Sequence, residues 1–165
     1  MSNDYSFDIV SKVNMQEVDN AVNQAMKEIL NRFDFKGTKS QIIFNKELKD
    51  LTIISDDEYK LKSVIDVLES KLIKRGVPIK SLDFGKIEPA GGSLVRQIIK
   101  TKEGIEQSKA KEIVKTIKET GIKVSAQIMD DLVRVTSRNK DDLQLVMKML
   151  QGKNLNIPLQ FTNYR

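Results

Sequence analysis

The sequence predicts an α+β fold made of two copies of one β-α-β-β-α-β unit, each with an antiparallel sheet. Three observations predict it. The same order of strand-like and helix-like patterns lies on either side of Glu88–Lys100. Asp50-Leu51-Thr52-Ile53-Ile54-Ser55 parallels Asp131-Leu132-Val133-Arg134-Val135-Thr136, and Leu61, Val64 and Leu68 parallel Leu143, Val146 and Leu150 with one extra residue in the second turn. Between the copies, Pro89 and the pair Gly91-Gly92 break regular structure. Such a unit is ferredoxin-like: both helices cover one face of the sheet and leave the other free for a partner.

In the first copy, Ser6–Ser11 alternates as a strand with Phe7 and Ile9 on one face. Asn14 opens a helix as its cap, and Glu17 three residues on fits a capping box and the positive end of the helix dipole. Val18, Ala21, Val22, Ala25, Met26, Ile29 and Leu30 recur at helical spacing as its inner stripe. Phe33–Lys39 ends that helix in a loop. Gln41–Asn45 and Leu51–Ser55 read as strands around the charged turn Lys46–Asp50. Ser55-Asp56-Asp57-Glu58 supplies caps for a second helix with Leu61, Val64, Ile65, Leu68 and Leu72 inward, stopped by Gly76 and Pro78. Lys80–Ile87 is expected as the next strand.

The second copy begins with Leu94–Lys100 as a strand. A Lys-rich helix follows from about Ile105, with Ala110, Ile113, Val114 and Ile117 inside and Gly121 at its end. Lys123–Met129 and Leu132–Thr136 form a hairpin around Asp130-Asp131. Ser137 or Asn139 caps the last helix, which buries Leu143, Val146, Met149 and Leu150 and stops at Gly152. Pro158–Thr162 closes the sheet.

Composition narrows the chemistry. The 165 residues contain no Cys and no His, which removes disulfides, thiolate chemistry, the commonest metal ligand and the usual general base near neutral pH. No apolar run approaches the roughly 20 residues of a membrane span. The opening Met1-Ser2-Asn3-Asp4-Tyr5 is unlike a secretory signal, so a cytoplasmic protein without a membrane partner is expected. Residues 1–90 carry 14 Lys/Arg against 15 Asp/Glu, and residues 91–165 carry 14 against 8. The basic excess of the second half suggests an anionic partner, against the alternative of a solvated Lys-rich helix surface.

Several stretches together resemble the YajQ family: Ser6–Ser11, Glu17–Ala25, Phe33-Asp34-Phe35-Lys36-Gly37, Lys71–Gly76, Val95-Arg96-Gln97, Ala126-Gln127-Ile128 with Val133–Thr136, and Pro158–Arg165. The resemblance spans essentially the whole chain. It implies a bacterial protein with tandem ferredoxin-like domains similar to ribonucleoprotein domains, in which the two copies exchange their first strands. Residues 12–100 would then form one domain, and residues 1–11 with 101–165 the other, with a joint near 89–93. The resemblance also implies nucleotide binding, with ATP, GTP, cyclic di-GMP and nucleic acid as the ligand classes associated with the family.

The residues themselves suggest where phosphates would be held. Arg134 interrupts an apolar strand and shares its face with Leu132 and Thr136; Arg grips phosphate with paired hydrogen bonds, and the alternative is an ion pair with Asp8 or Asp130. Arg96 and Lys100 make a second basic strand, and Arg138 follows the first. Phe35-Lys36-Gly37-Thr38 offers a ring, a charge and backbone amides, but lacks the spacing of a phosphate loop. The nucleotide-binding set is therefore Lys36, Arg96, Lys100, Arg134 and Arg138. Lys109, Lys111, Lys115 and Lys118 read as a solvated helix face. Asp56-Asp57-Glu58 and Asp130-Asp131 read as a cap and a turn rather than a metal site, and neither a catalytic constellation nor a cofactor is expected.

These readings lead to a non-catalytic, monomeric nucleotide-binding regulator that takes a purine nucleotide or a cyclic dinucleotide. The alternatives are a nonspecific RNA or DNA binder acting through basic sheet faces, and a module that binds only a protein partner. The strands meant for base stacking hold only Phe7 as an aromatic, which weakens RNA reading of the ribonucleoprotein type.

Overall fold

The computed structural model describes residues 4–153 and 155–165, so Met1-Ser2-Asn3 lie outside the described residues. In chain order the elements are β1 (Tyr5–Val10), α1 (Met15–Asn31), β2 (Gln41–Asn45), β3 (Asp50–Ser55), α2 (Glu58–Lys74), β4 (Leu82–Phe84), β5 (Glu88–Pro89), β6 (Val95–Thr101), α3 (Gln107–Glu119), β7 (Ser125–Met129), β8 (Leu132–Ser137), α4 (Lys140–Gln151) and β9 (Gln160–Thr162). They form two compact units, Val13–Lys102 and Met1–Lys12 with Glu103–Arg165. Each has the ferredoxin-like arrangement.

In the unit Val13–Lys102 the sheet runs β2-β3-β6-β4, all antiparallel, with β5 beside β6. The strand that follows the Gly pair, β6, is therefore interior to the sheet of the preceding copy. Asn14 caps α1: its Oδ1 accepts from the amides of Gln16 and Glu17. Asp57 caps α2 by accepting from the amide of Lys60. Both helices press their stripes onto Leu51, Ile53 and Ile99 of the sheet, and the core includes Val18, Ala25, Leu61, Leu68 and Leu72. Leu30 departs from its expected place in the stripe, being 77% exposed. It lies one residue, or about 100°, past buried Ile29, beyond the reach of the sheet.

Lys80–Ile87 is not one strand. A single 3₁₀ turn spans Ile79–Ser81, β4 is three residues long, and β5 follows only after Gly85. There the Gly85 amide donates to the Ile98 carbonyl at 2.8 Å, and a Cβ built on Gly85 would sit 2.8 Å from that same oxygen. Pro89 pairs with Val95, and Gly91, Gly92 and Ser93 all have positive φ. The central break in the sequence is thus a tight hairpin turn inside this unit, closed by Ala90 N–H to Leu94 O at 2.8 Å.

In the other unit the sheet runs β7-β8-β1-β9, again antiparallel. The first strand of the chain lies between β8 and β9, pairing Phe7 with Val135 and Ile9 with Val133. Those four side chains are fully buried with Ile113, Ile117, Val146 and Leu150 beneath α3 and α4. Burial of side chains such as Phe7 and Ile9 is worth about 1.5–3 kcal/mol each. Asn139, not Ser137, caps α4 through the amide of Asp141, while Ser137 Oγ accepts from the Asn139 amide and donates to the Lys123 carbonyl. The helix α3 starts at Gln107, and buried Ile105 precedes it.

Candidate functional site

The strand exchange redistributes charge. Val13–Lys102 carries 16 Lys/Arg against 13 Asp/Glu, and the other unit carries 12 against 10. The strong bias of the second half of the sequence therefore disappears, because Arg96, Lys100 and Lys102 belong to the unit built mostly from the first half. An anion site has to be sought in local clusters of cations.

Arg134 projects from β8 on the face away from the helices, with Leu132 and Thr136. Opposite it on β1 is Asp8, only 4% exposed. Arg134 Nε donates to Asp8 Oδ1 at 2.8 Å, its Nη2 to Oδ2 at 3.3 Å, and Asn163 Nδ2 to Oδ2 at 3.0 Å. These bonds, that from Arg134 foremost, hold the Asp8 carboxyl below the usual carboxylate range against the opposing effect of burial. Arg134 is thus committed to an ion pair. Arg138 follows β8 and is almost wholly exposed, with Asp4 at 3.9 Å.

In the unit Val13–Lys102, Arg96, Ile98 and Lys100 share the face of β6 that turns away from the helices. Arg96 Nε donates to Glu88 Oε1 at 2.8 Å, and Asp50 and Asp83 lie opposite Lys100 in the register. That face holds two cations and three carboxylates, so it is not basic. Lys36 is exposed and, like Lys100, makes no salt bridge among the described residues. The ring of Phe35 is unavailable for stacking: it is buried, with the guanidinium of Arg32 at 5.0 Å and the ammonium of Lys60 at 5.5 Å. Among the described residues, neither open sheet face presents an aromatic side chain from its paired strands, and no group of three or more carboxylates is placed to hold a metal ion.

A different set of residues converges in the unit that contains β1. Tyr5 begins β1 opposite Ser137. The next residue, Ser6, exchanges two backbone hydrogen bonds with Arg165, at 3.2 and 3.0 Å, which carries Tyr164 to the same place. The Tyr164 ring lies 6.2 Å from that of Phe7, and its hydroxyl donates to Met147 Sδ at 3.2 Å. From α4, Lys140, Leu143, Gln144 and Met147 follow at helical spacing along one face. Together with Tyr5, Ser6, Tyr164 and Arg165 they line a cleft of about 290 Å³. Lys140 Nζ stands 4.9 Å above the Tyr5 ring, a cation–π contact that fixes the ammonium at the cleft. Neither Lys140 nor Arg165 makes a salt bridge among the described residues, in contrast to Arg134 and Arg96.

The cleft therefore joins two exposed or half-exposed phenol rings, two cations outside any salt bridge among the described residues, of which Arg165 also feels the Asp8 carboxylate, and the amide of Gln144. Rings of this kind can stack a planar heterocycle, and the cations can hold phosphate. Sequence reasoning missed it because Tyr5 and Tyr164 are 159 positions apart. The available signal was that two of only three tyrosines stand within a few residues of one another once β1 pairs with the segment after β9.

Known proteins match along the full length. A family model described as "Nucleotide-binding protein YajQ-like" matches residues 5–165. A protein of Trichlorobacter lovleyi named "Nucleotide-binding protein" is 61% identical over 97% of this chain and 98% of its own length. Proteins of the same name from Carboxydothermus hydrogenoformans and Desulforamulus reducens are 58% and 56% identical, each over all of this chain and 100% and 99% of their own. None of these names is that of an enzyme. The chain belongs to the YajQ-like nucleotide-binding protein family.

Proposed function

We propose that the protein binds a purine nucleotide without turning it over, in the cleft between Tyr5, Lys140 and Tyr164. The observation that carries this reading is the meeting of aromatic faces with the cations Lys140 and Arg165, neither of which makes a salt bridge among the described residues. The names of its relatives agree with it. Tyr164, 58% exposed, offers its ring to the base, since Lys140 already covers that of Tyr5. Lys140 and Arg165 hold phosphate, with Arg138 just beyond β8 to add a longer-range attraction.

The volume, about 290 Å³, lies at the lower end for ligand pockets and suits one nucleotide unit. ATP or GTP would place base and ribose within it; cyclic di-GMP would place one of its halves. The lining brings no carboxylate side chain beside the Ser6 hydroxyl or the Lys140 amine, which favours binding over catalysis. Of the five residues singled out in the sequence, Arg138 alone is drawn to this site. Arg134 serves the fold through Asp8, and the balance of cations and carboxylates on the open sheet faces lends no support to nucleic-acid binding there.

Calorimetric titration with ATP, GTP and cyclic di-GMP tests the reading. Lys140→Ala removes a charge-assisted bond worth about 1.5–3 kcal/mol, so affinity for the preferred ligand falls about tenfold or more. Arg96→Ala leaves it unchanged. Equal affinity in wild type and Lys140→Ala excludes the cleft.

A further inference from the structure

We infer a second anion site, in the unit Val13–Lys102, for a short run of linked phosphates. It lies on the solvent side of the helix pair. Gln24, Lys27, Glu28, Asn31 and Arg32 of α1 and its end face Lys71 and Lys74 of α2 across a groove of about 600 Å³. Four cations and one carboxylate line it. The carboxylate organises the groove without neutralising it: Glu28 pairs with Lys71 at 2.8 Å and with Arg32 at 3.4 Å, and Arg32 is also held by Asp34 at 2.7 Å. Lys71 foremost keeps Glu28 ionised, its carboxyl held below the usual range. Lys27 and Lys74 make no ion pair among the described residues.

The geometry suits an extended anion better than a point charge. From Lys27 to Arg32 the axial rise is about 7.5 Å, and the cations stand on both walls. That span matches two or three linked phosphates. Gln24 and Asn31, seven residues apart on α1, add amide groups along the same face. At the Arg32 end the chain turns outward at Phe33, 88% exposed, a ring with no buried role. A basic track ending at an exposed aromatic is how proteins hold strands through phosphates and stacking. The phosphates of a nucleic-acid strand and those of an inorganic chain share this chemistry. The groove is independent of the cleft at Tyr5 and Tyr164, and neither claim needs the other.

The test uses the full-length protein, inorganic tripolyphosphate and a labelled oligouridylate decamer, with calorimetry and fluorescence anisotropy at two salt concentrations. Lys27→Glu/Lys74→Glu changes only exposed side chains, and its thermal melt checks that the fold is kept. Binding of either probe falls at least tenfold in that variant and is unchanged in Lys111→Ala, an exposed lysine of α3 outside both the groove and the cleft. If the decamer binds and Phe33→Ala weakens it, the source is a strand; if tripolyphosphate binds and Phe33→Ala is silent, it is an inorganic chain. Absence of millimolar binding by both probes overturns the inference, as does equal binding in the double variant, or an equal loss in Lys111→Ala.

Discussion

Arg134 and Asp8, 126 positions apart in sequence, face each other across β8 and β1 and share two hydrogen bonds at 2.8 and 3.3 Å. Asp8 is buried, whereas the Arg134 side chain remains 35% exposed, so the carboxylate is the dependent partner. The pair fastens the first strand of the chain to a hairpin encoded in its last quarter.

Stability should follow the ionisation of Asp8. Its folded pKa is depressed below 3.8, so the stabilisation is present above that value and is lost as pH falls through the folded pKa. Asp8→Asn is expected to cost about 1–2 kcal/mol at pH 7, a range discounted for the partial exposure of Arg134. Urea melts at pH 7 and at pH 3 check this: the gap between wild type and variant narrows in acid. Arg134→Ala, which leaves the buried carboxylate with Asn163 alone among these partners, costs more than Asp8→Asn at pH 7.

The exchanged strands make a prediction about fragments. We propose that residues 13–102 fold alone, because they hold every member of their core, Ile99 of β6 included. Residues 1–90, the half cut at the central Gly pair, lack β6 and so lose the strand between β3 and β4. Circular-dichroism melts of the two fragments should show a cooperative transition for the first and none for the second. A cooperative transition of residues 1–90 would argue that the strands need not be exchanged.

Gly85 should tolerate no side chain. Its added Cβ meets the backbone carbonyl of Ile98 at 2.8 Å, which no rotamer change can relieve. Gly85→Ala is expected to lower stability by about 1–3 kcal/mol, by pushing β4 and β5 off β6. Thermal unfolding measures it, and a melt unchanged within a degree would contradict the close approach.

Much of the fold was legible in the sequence because helix stripes and strand alternation are local. Val18 to Ile29, Leu61 to Leu72 and Leu143 to Leu150 all turned inward as their spacing required. Which sheet a strand joins is not local. Phe7 and Ile9 would look the same in either, and only the resemblance to a family raised the exchange. The candidate site was less legible for two reasons. Arginines in apolar strands draw attention as anion ligands, yet a strand neighbour chosen by register, Asp8 or Glu88, can satisfy them. The cleft, by contrast, is assembled from Tyr5, Lys140 and Tyr164, which no motif connects and only pairing of β1 with the C-terminal segment unites.

The most direct test is a nucleotide titration followed by amide chemical shifts of the isotopically labelled protein. With the preferred ligand among ATP, GTP and cyclic di-GMP, the largest shifts should fall at Tyr5, Ser6, Lys140 to Gln144, Tyr164 and Arg165. Shifts concentrated instead on Thr52, Arg96, Ile98 and Lys100, with the cleft silent, would contradict the account.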